Sequence, residues 1–245
     1  MPWLNQLRAL TRLTERHREA ELMDEPSLDV SEHARALTGL RRVNWWSRSA
    51  AIVCPALQQL AAGCSAERPL RLLDVACGGG DVTAAIARWT RLAGLPVRVS
   101  ACDISSTALE IARHHAGSTG ESIEFFQHDL LQQPLPAEFD VVMCSLFLHH
   151  LEEADGVRVL RSMAAAAARA VLVNDLIRSR SGYLLAMFGT RLLSRSRIVH
   201  VDGPLSVAGA FTPHEALRLS EQAGLLGATI SRHWPQRFLL TWRRP

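Results

Sequence analysis

The chain has 245 residues, 48% hydrophobic and 21% charged, with a net charge of +3 at pH 7. That is room for one large α/β domain or two small ones around a substantial core, and the charge is too small to recruit nucleic acid by bulk electrostatics. No apolar run nears the roughly 20 residues that span a bilayer, no secretory apolar region opens the chain, and the five cysteines form no C-x-x-C pair, so a reduced, soluble, cytoplasmic protein is expected.

Trp3 to about Gly63 reads as helical. Leu4, Leu7, Leu10 and Leu13 recur beside Arg8, Arg12, Arg16 and Arg18, which predicts a basic amphipathic helix from Leu4 to Arg18. Glu25-Pro26-Ser27 interrupts it, and Asp29 or Ser31 can cap a second helix carrying His33, Leu37 and Leu40. A third stretch, Trp45 to Leu60, contains Pro55, where a break or kink is expected. Beyond the polar link Cys64–Pro69 strands and helices alternate: strand Leu70–Val75, helix Val82–Leu92, strand Val97–Cys102, then a helix capped by Ser105 or Ser106 and running to His115. Strand Ile123–Phe126, strand Phe139–Cys144, helix Glu152–Ala168 and strand Ala170–Val173 continue the rhythm. This order predicts a parallel sheet covered on both faces, with ligands at the carboxyl ends of its strands.

The alternation stops at 176–211, an arginine-bearing insertion with an apolar patch at Tyr183–Phe188 and an expected turn at Asp202-Gly203-Pro204; its expected role is lid and substrate pocket. Thr212-Pro213-His214-Glu215 restarts helix as a capping box, and Gly224 ends it. Two strand-like runs, Ala228–His233 and Phe238–Trp242, close the chain around Trp234, expected in the core. The division is an N-terminal helical lid over 1–66 and a ligand-binding domain over 67–245.

The most telling segment is Leu72-Leu73-Asp74-Val75-Ala76-Cys77-Gly78-Gly79-Gly80-Asp81. A strand, a glycine turn and a helix start let a nucleotide-like ligand approach bare backbone. Asp74 repels a pyrophosphate, and Thr83 stands where a dinucleotide fingerprint has its third glycine, so a nicotinamide dinucleotide fold is disfavoured. Every strand end carries a polar residue: Asp74, Asp103, Asp129, Ser145 and Asp175. No His/Cys group has metal-ligand spacing, so no metal centre is expected.

The glycine segment resembles motif I of the class I S-adenosylmethionine-dependent methyltransferases, apolar-Asp-x-Gly-x-Gly-x-Gly, matched by Asp74, Ala76, Gly78 and Gly80 with Ala76 where the first glycine is common. The resemblance covers about residues 70–175. It implies a Rossmann-like, mostly parallel seven-stranded α/β sheet with helices on both faces, and S-adenosylmethionine as cofactor. It also implies that Asp103, with Ile104, holds the ribose, Asp129 and Leu130 the adenine, and Asp74, Ala76, Gly78, Gly80 and Ser145 the methionine end.

Ser145-Leu146-Phe147-Leu148-His149-His150 follows the fourth strand, where such enzymes place substrate-facing residues. One of His149 and His150 can serve as base toward a phenolic hydroxyl while its neighbour packs the next helix. Asp175, Arg178, Arg197 and His200 are the expected substrate-binding residues. The segment Glu21-Leu22-Met23-Asp24, the run His33 to Asn44, the double histidine and Trp234-Pro235 together resemble bacterial small-molecule methyltransferases, some of them of polyketide or phenolic-lipid pathways. O-methylation of a phenolic or polyketide-like acceptor is the first expectation; C- or N-methylation of a quinol-like acceptor comes next, then an RNA methyltransferase or a non-catalytic cofactor-binding module. The expected partner is a small molecule, without nucleic acid, for a monomer or homodimer.

Overall fold

The computed structural model describes residues 13–25 and 28–245. Most of the Leu4–Arg18 helix expectation, and Pro26-Ser27, lie outside them; residues 13–18 form a turn and irregular backbone rather than helix. The first helices are α1 (Val30–Trp46), whose start is capped by the Asp29 carboxylate, and α2 (Ser49–Ala61). The alternating region gives β1 (Leu70–Val75), α3 (Asp81–Leu92), β2 (Val97–Asp103), α4 (Ser106–Thr119), β3 (Ile123–Gln127), β4 (Phe139–Ser145), α5 (Glu153–Ala166) and β5 (Ala167–Leu176). Then follow α6 (Arg180–Leu193), α7 (Arg197–Gly209), α8 (Pro213–Gln222), β6 (Thr229–His233) and β7 (Arg237–Arg243).

The strands form one seven-stranded sheet in the order β3-β2-β1-β4-β5-β7-β6, parallel except for β7, which runs antiparallel to both β5 and β6. This is the Rossmann-like sheet expected. Strands β1, β4 and β5 are buried on both faces, which is why they read as near-continuous apolar runs. One face packs Ile52, Val53, Leu57 and Leu60 of α2 with Val82 and Ile86 of α3. The other packs Val159, Leu160 and Met163 of α5 with Ala216 and Leu219 of α8.

Four local expectations are corrected. The chain breaks at Ser47-Arg48, where Arg48 takes φ 53°, and α2 runs through Pro55. An interior proline costs about 3 kcal/mol, whereas each large side chain that α2 buries on the sheet returns roughly 1.5–3 kcal/mol. Ala167 and Ala168 belong to β5, where Ala167 pairs with Phe139 of β4, instead of extending the preceding alanine-rich helix, because tertiary pairing overrides helix propensity there. The insertion is two packed helices, and Asp202-Gly203-Pro204 lies inside α7. Gly203 is there for closeness: a Cβ on it would come within 2.6 Å of the Thr190 methyl of α6. Trp234 is 64% exposed and meets Trp46 edge-on at 6.2 Å, outside the core.

Helices α1, α6 and α7 lean on one another above the carboxyl ends of the strands. Ala36 of α1 packs with Ile198 and Val199 of α7, while Tyr183 of α6 packs with Val207 and Ala208 of α7. The N-terminal segment and the insertion thus share one roof, whereas α2 belongs to the sheet. Among the described residues, no helix is long and apolar enough to cross a membrane.

Candidate active site

Between the strand ends and this roof lies a cavity of about 770 Å³, within the ~300–1,000 Å³ common for small-molecule sites. Its floor at one end is the glycine loop. Ala76 takes φ 54°, the left-handed conformation that explains why glycine suits this position. Gly78 has φ 53° and open space where a Cβ would point, so a side chain there would enter the cavity. Gly80 is required by packing: its Cβ would sit 2.8 Å from that of Ala112.

Asp74 is buried at the end of β1 and accepts the Thr83 hydroxyl at 2.5 Å through Oδ2, while Oδ1 has no partner among the described residues. Asp103 accepts the N–H groups of Gly78 (2.8 Å) and Ser105 (2.9 Å), so the acid after β2 also shapes the loop beside it. Asp129 accepts the Leu131 N–H at 2.9 Å and so closes its own turn. All nine residues expected at the cofactor, Asp74, Ala76, Gly78, Asp103, Ile104, Asp129, Leu130 and Ser145 together with Gly80 behind the loop, cluster at this end; the first eight line the cavity.

The other end is built by the turn after β4. Leu146 takes φ 58° and donates to the Asn174 carbonyl, which swings the one-turn helix Leu148–His150 over the cavity. There His149 Nδ1 meets Asp175 Oδ1 at 2.6 Å, and the His149 N–H reaches Asp175 Oδ2 at 3.1 Å. Burial pushes Asp175 up, but the imidazole's charge and hydrogen bond, with the Leu176 N–H, outweigh it and hold the carboxyl below its ordinary value. A carboxylate on Nδ1 fixes the ring's orientation and directs Nε2 as the reactive nitrogen. The two histidine rings lie 4.3 Å apart, tilted by 32°, and both line the cavity, contrary to the expectation that one turns away.

The expected substrate residues fare differently. Asp175 does not line the cavity and reaches it through His149. Arg178 is buried and forks onto Glu215 at 2.7 and 2.8 Å while donating to the Ala210 and Leu13 carbonyls. Arg197 is exposed at the start of α7, and His200 Nε2 lies 2.7 Å from the Ser194 carbonyl; neither lines the cavity. In their place the structure brings Glu21, held by the Ser206 hydroxyl at 2.6 Å, to 3.8 Å from His149 Nε2 and His150 Nδ1. Ligand-type atoms of Glu21, His149 and His150 lie within 4.8 Å of one another, a cluster that could hold a cation despite the lack of sequence spacing. Arg16 ties the segment down, donating to the carbonyls of Gly209, His149 and Leu151. No periodicity gives Glu21 this role, and Arg16, expected on an amphipathic helix, acts instead from irregular backbone.

The family described as a methyltransferase domain matches residues 72–169. The ubiquinone biosynthesis O-methyltransferase of Thiobacillus denitrificans is 31% identical over 157 residues, 63% of this chain and 64% of that protein. Its counterpart in Bordetella parapertussis is 32% identical over 163 residues, 63% and 61% of the two chains. The chain thus spans less than two thirds of the length of these curated relatives. Among solved structures, the S-adenosylmethionine-dependent methyltransferase SibL aligns with a TM-score of 0.64 at 20% identity, over 99% of this chain and 68% of that one. Human N-acetylserotonin methyltransferase in complex with S-adenosylmethionine aligns at 0.64 and 17%, over 98% and 66%. These likenesses establish a shared fold.

Proposed function

We propose that this chain is a class I S-adenosylmethionine-dependent methyltransferase that O-methylates a small phenolic acceptor, with His149 as general base. The glycine-loop end fits the cofactor on its own chemistry: open space at Gly78, two cavity-facing acids at the ends of β1 and β2, and an unpartnered acceptor at Asp74 Oδ1. Asp103 and Ile104 would hold the ribose, Asp129 and Leu130 the adenine, and Asp74, Ala76, Gly78, Gly80 and Ser145 the methionine end. S-adenosylmethionine supplies an electrophilic sulfonium methyl group when bound.

The observation that carries the oxygen acceptor is the His149–Asp175 pair at 2.6 Å on the cavity wall. A phenol must lose its proton as its oxygen becomes the nucleophile, and His149 Nε2 can take it while Asp175 stabilises the resulting imidazolium. The roof of α1, α6 and α7 excludes water and supplies the apolar walls, Leu37, Leu40, Leu185 and Val207 among them. The relatives named as ubiquinone biosynthesis O-methyltransferases support a hydroxylated aromatic acceptor, and a polyketide-like phenol has the same chemistry. The Glu21–His149–His150 cluster favours a second reading, in which a divalent cation there polarises the phenolic oxygen; loss of turnover on chelation and its return with added cation would select it.

The test is methyl transfer from labelled S-adenosylmethionine to a panel of phenols and catechols, with product mass and position determined. A methyl ether on the aromatic ring is expected. Products methylated only on carbon or nitrogen would contradict the assignment.

A further inference from the structure

Arg237 opens β7 and lines the cavity, and among the described residues there it is the charged group with the most buried unpartnered atoms. The residue is 3% exposed and lines the cavity, yet among the described residues only Nη2 has a partner, the Ser47 hydroxyl at 2.8 Å, and Nε and Nη1 have none. Burial pulls the guanidinium down to about 10, against the attraction of Asp175 and Asp81, so it stays protonated at neutral pH. A buried cation with two idle donors is costly to keep unless something anionic completes it.

The neighbours say which end of the cavity it serves. Ser47 Oγ also donates to the Asn44 carbonyl (3.4 Å), and Asn44 Nδ2 donates to Asp81 (3.1 Å), the first residue of the helix after the glycine loop. Arg237 is therefore strung to the loop end through Ser47 and Asn44. At this same end two buried acceptors, Asp74 Oδ1 and Asn44 Oδ1, also lack partners. Idle acceptors and an idle guanidinium on the wall of one cavity are the complement of an α-amino acid, whose ammonium needs acceptors and whose carboxylate needs a two-pronged donor.

We propose that Arg237 is the binding residue for the α-carboxylate of the cofactor's methionine end, reaching it from β7 while Asp74 and Asn44 face the ammonium. This rests on the cofactor reading above and deepens it. Arg237 thereby makes the family's nucleoside site selective for ligands that keep the amino-acid group.

The experiment compares two probes by calorimetry: S-adenosylhomocysteine, which has the amino-acid end, and 5′-methylthioadenosine, which shares the nucleoside and thioether and lacks it. R237Q is expected to weaken S-adenosylhomocysteine by roughly 10- to 100-fold and to leave 5′-methylthioadenosine unchanged. That unchanged binding also reports an intact fold. R237K, which keeps the charge without the fork, should fall between. Equal weakening of both probes, or of neither, would overturn the proposal; the first outcome makes Arg237 a support of the fold and the second frees it for an acceptor anion. Failure of the unaltered protein to bind either probe would instead overturn the cofactor reading itself.

Discussion

Asp74 sits out of solvent at the end of β1, and its carboxyl is pushed up to about 7. Burial is the main cause; the Thr83 hydrogen bond opposes it, and the charges of Asp81 and Asp103 add to it. In the ligand-free protein the folded state therefore holds this proton more tightly than the unfolded chain. Its contribution to stability is present below the ordinary value of 3.8 and is lost as pH rises from there to about 7. An ammonium nearby favours the ionised form. Affinity for S-adenosylhomocysteine should thus rise from pH 6 to pH 8, by up to about tenfold per unit below the transition. In D74N that dependence should flatten; a profile identical to that of the unaltered protein would remove Asp74 from the ammonium site.

Helix α8 shows how one element joins a sequence signal to a contact that no sequence pattern carries. Thr212 Oγ1 accepts the Glu215 N–H at 3.3 Å and Glu215 Oε2 accepts the Thr212 N–H at 2.8 Å, the capping box expected from Thr212-Pro213-His214-Glu215. The same carboxylate receives both prongs of Arg178, a long-range pairing that local spacing does not announce, which is why Arg178 reads as a pocket residue in the sequence. Burial would raise Glu215, but Arg178 and the Thr212 bonds outweigh it and bring it to about 2. Its stabilising contribution is complete above 4.5 and is lost as pH falls from there toward 2. Because the Arg178 side chain is 2% exposed, E215Q would strand a buried cation and should cost roughly 3–5 kcal/mol. Chemical denaturation from pH 3 to 7 checks this: E215Q should be less stable at pH 7 and lose less on acidification. Helices α6 and α7 were hidden for a related reason. Gly203 and Pro204 read as a turn in isolation, and only the close crossing with Thr190 makes a helical glycine necessary.

Across the molecule, the sheet and the cluster of residues around the glycine loop are legible because their signals are local: apolar runs each ending in a polar residue, and glycines whose spacing is itself the loop. The acceptor end is assembled from distant parts of the chain. His149 was visible after β4, but its partner Asp175 ends β5, Glu21 comes from irregular backbone and the roof mixes α1 with α6 and α7. That division of labour leaves the account resting on His149 Nε2, aimed into the cavity by Asp175. The most direct test is the rate of methyl transfer from labelled S-adenosylmethionine to phenols of graded acidity, measured for the unaltered protein and H149A at equal cofactor saturation. H149A should be slower by roughly 10²–10⁴-fold on weakly acidic phenols, and the deficit should shrink as the phenol's own ionisation replaces the base. An H149A enzyme as fast as the unaltered protein on every phenol would contradict the account.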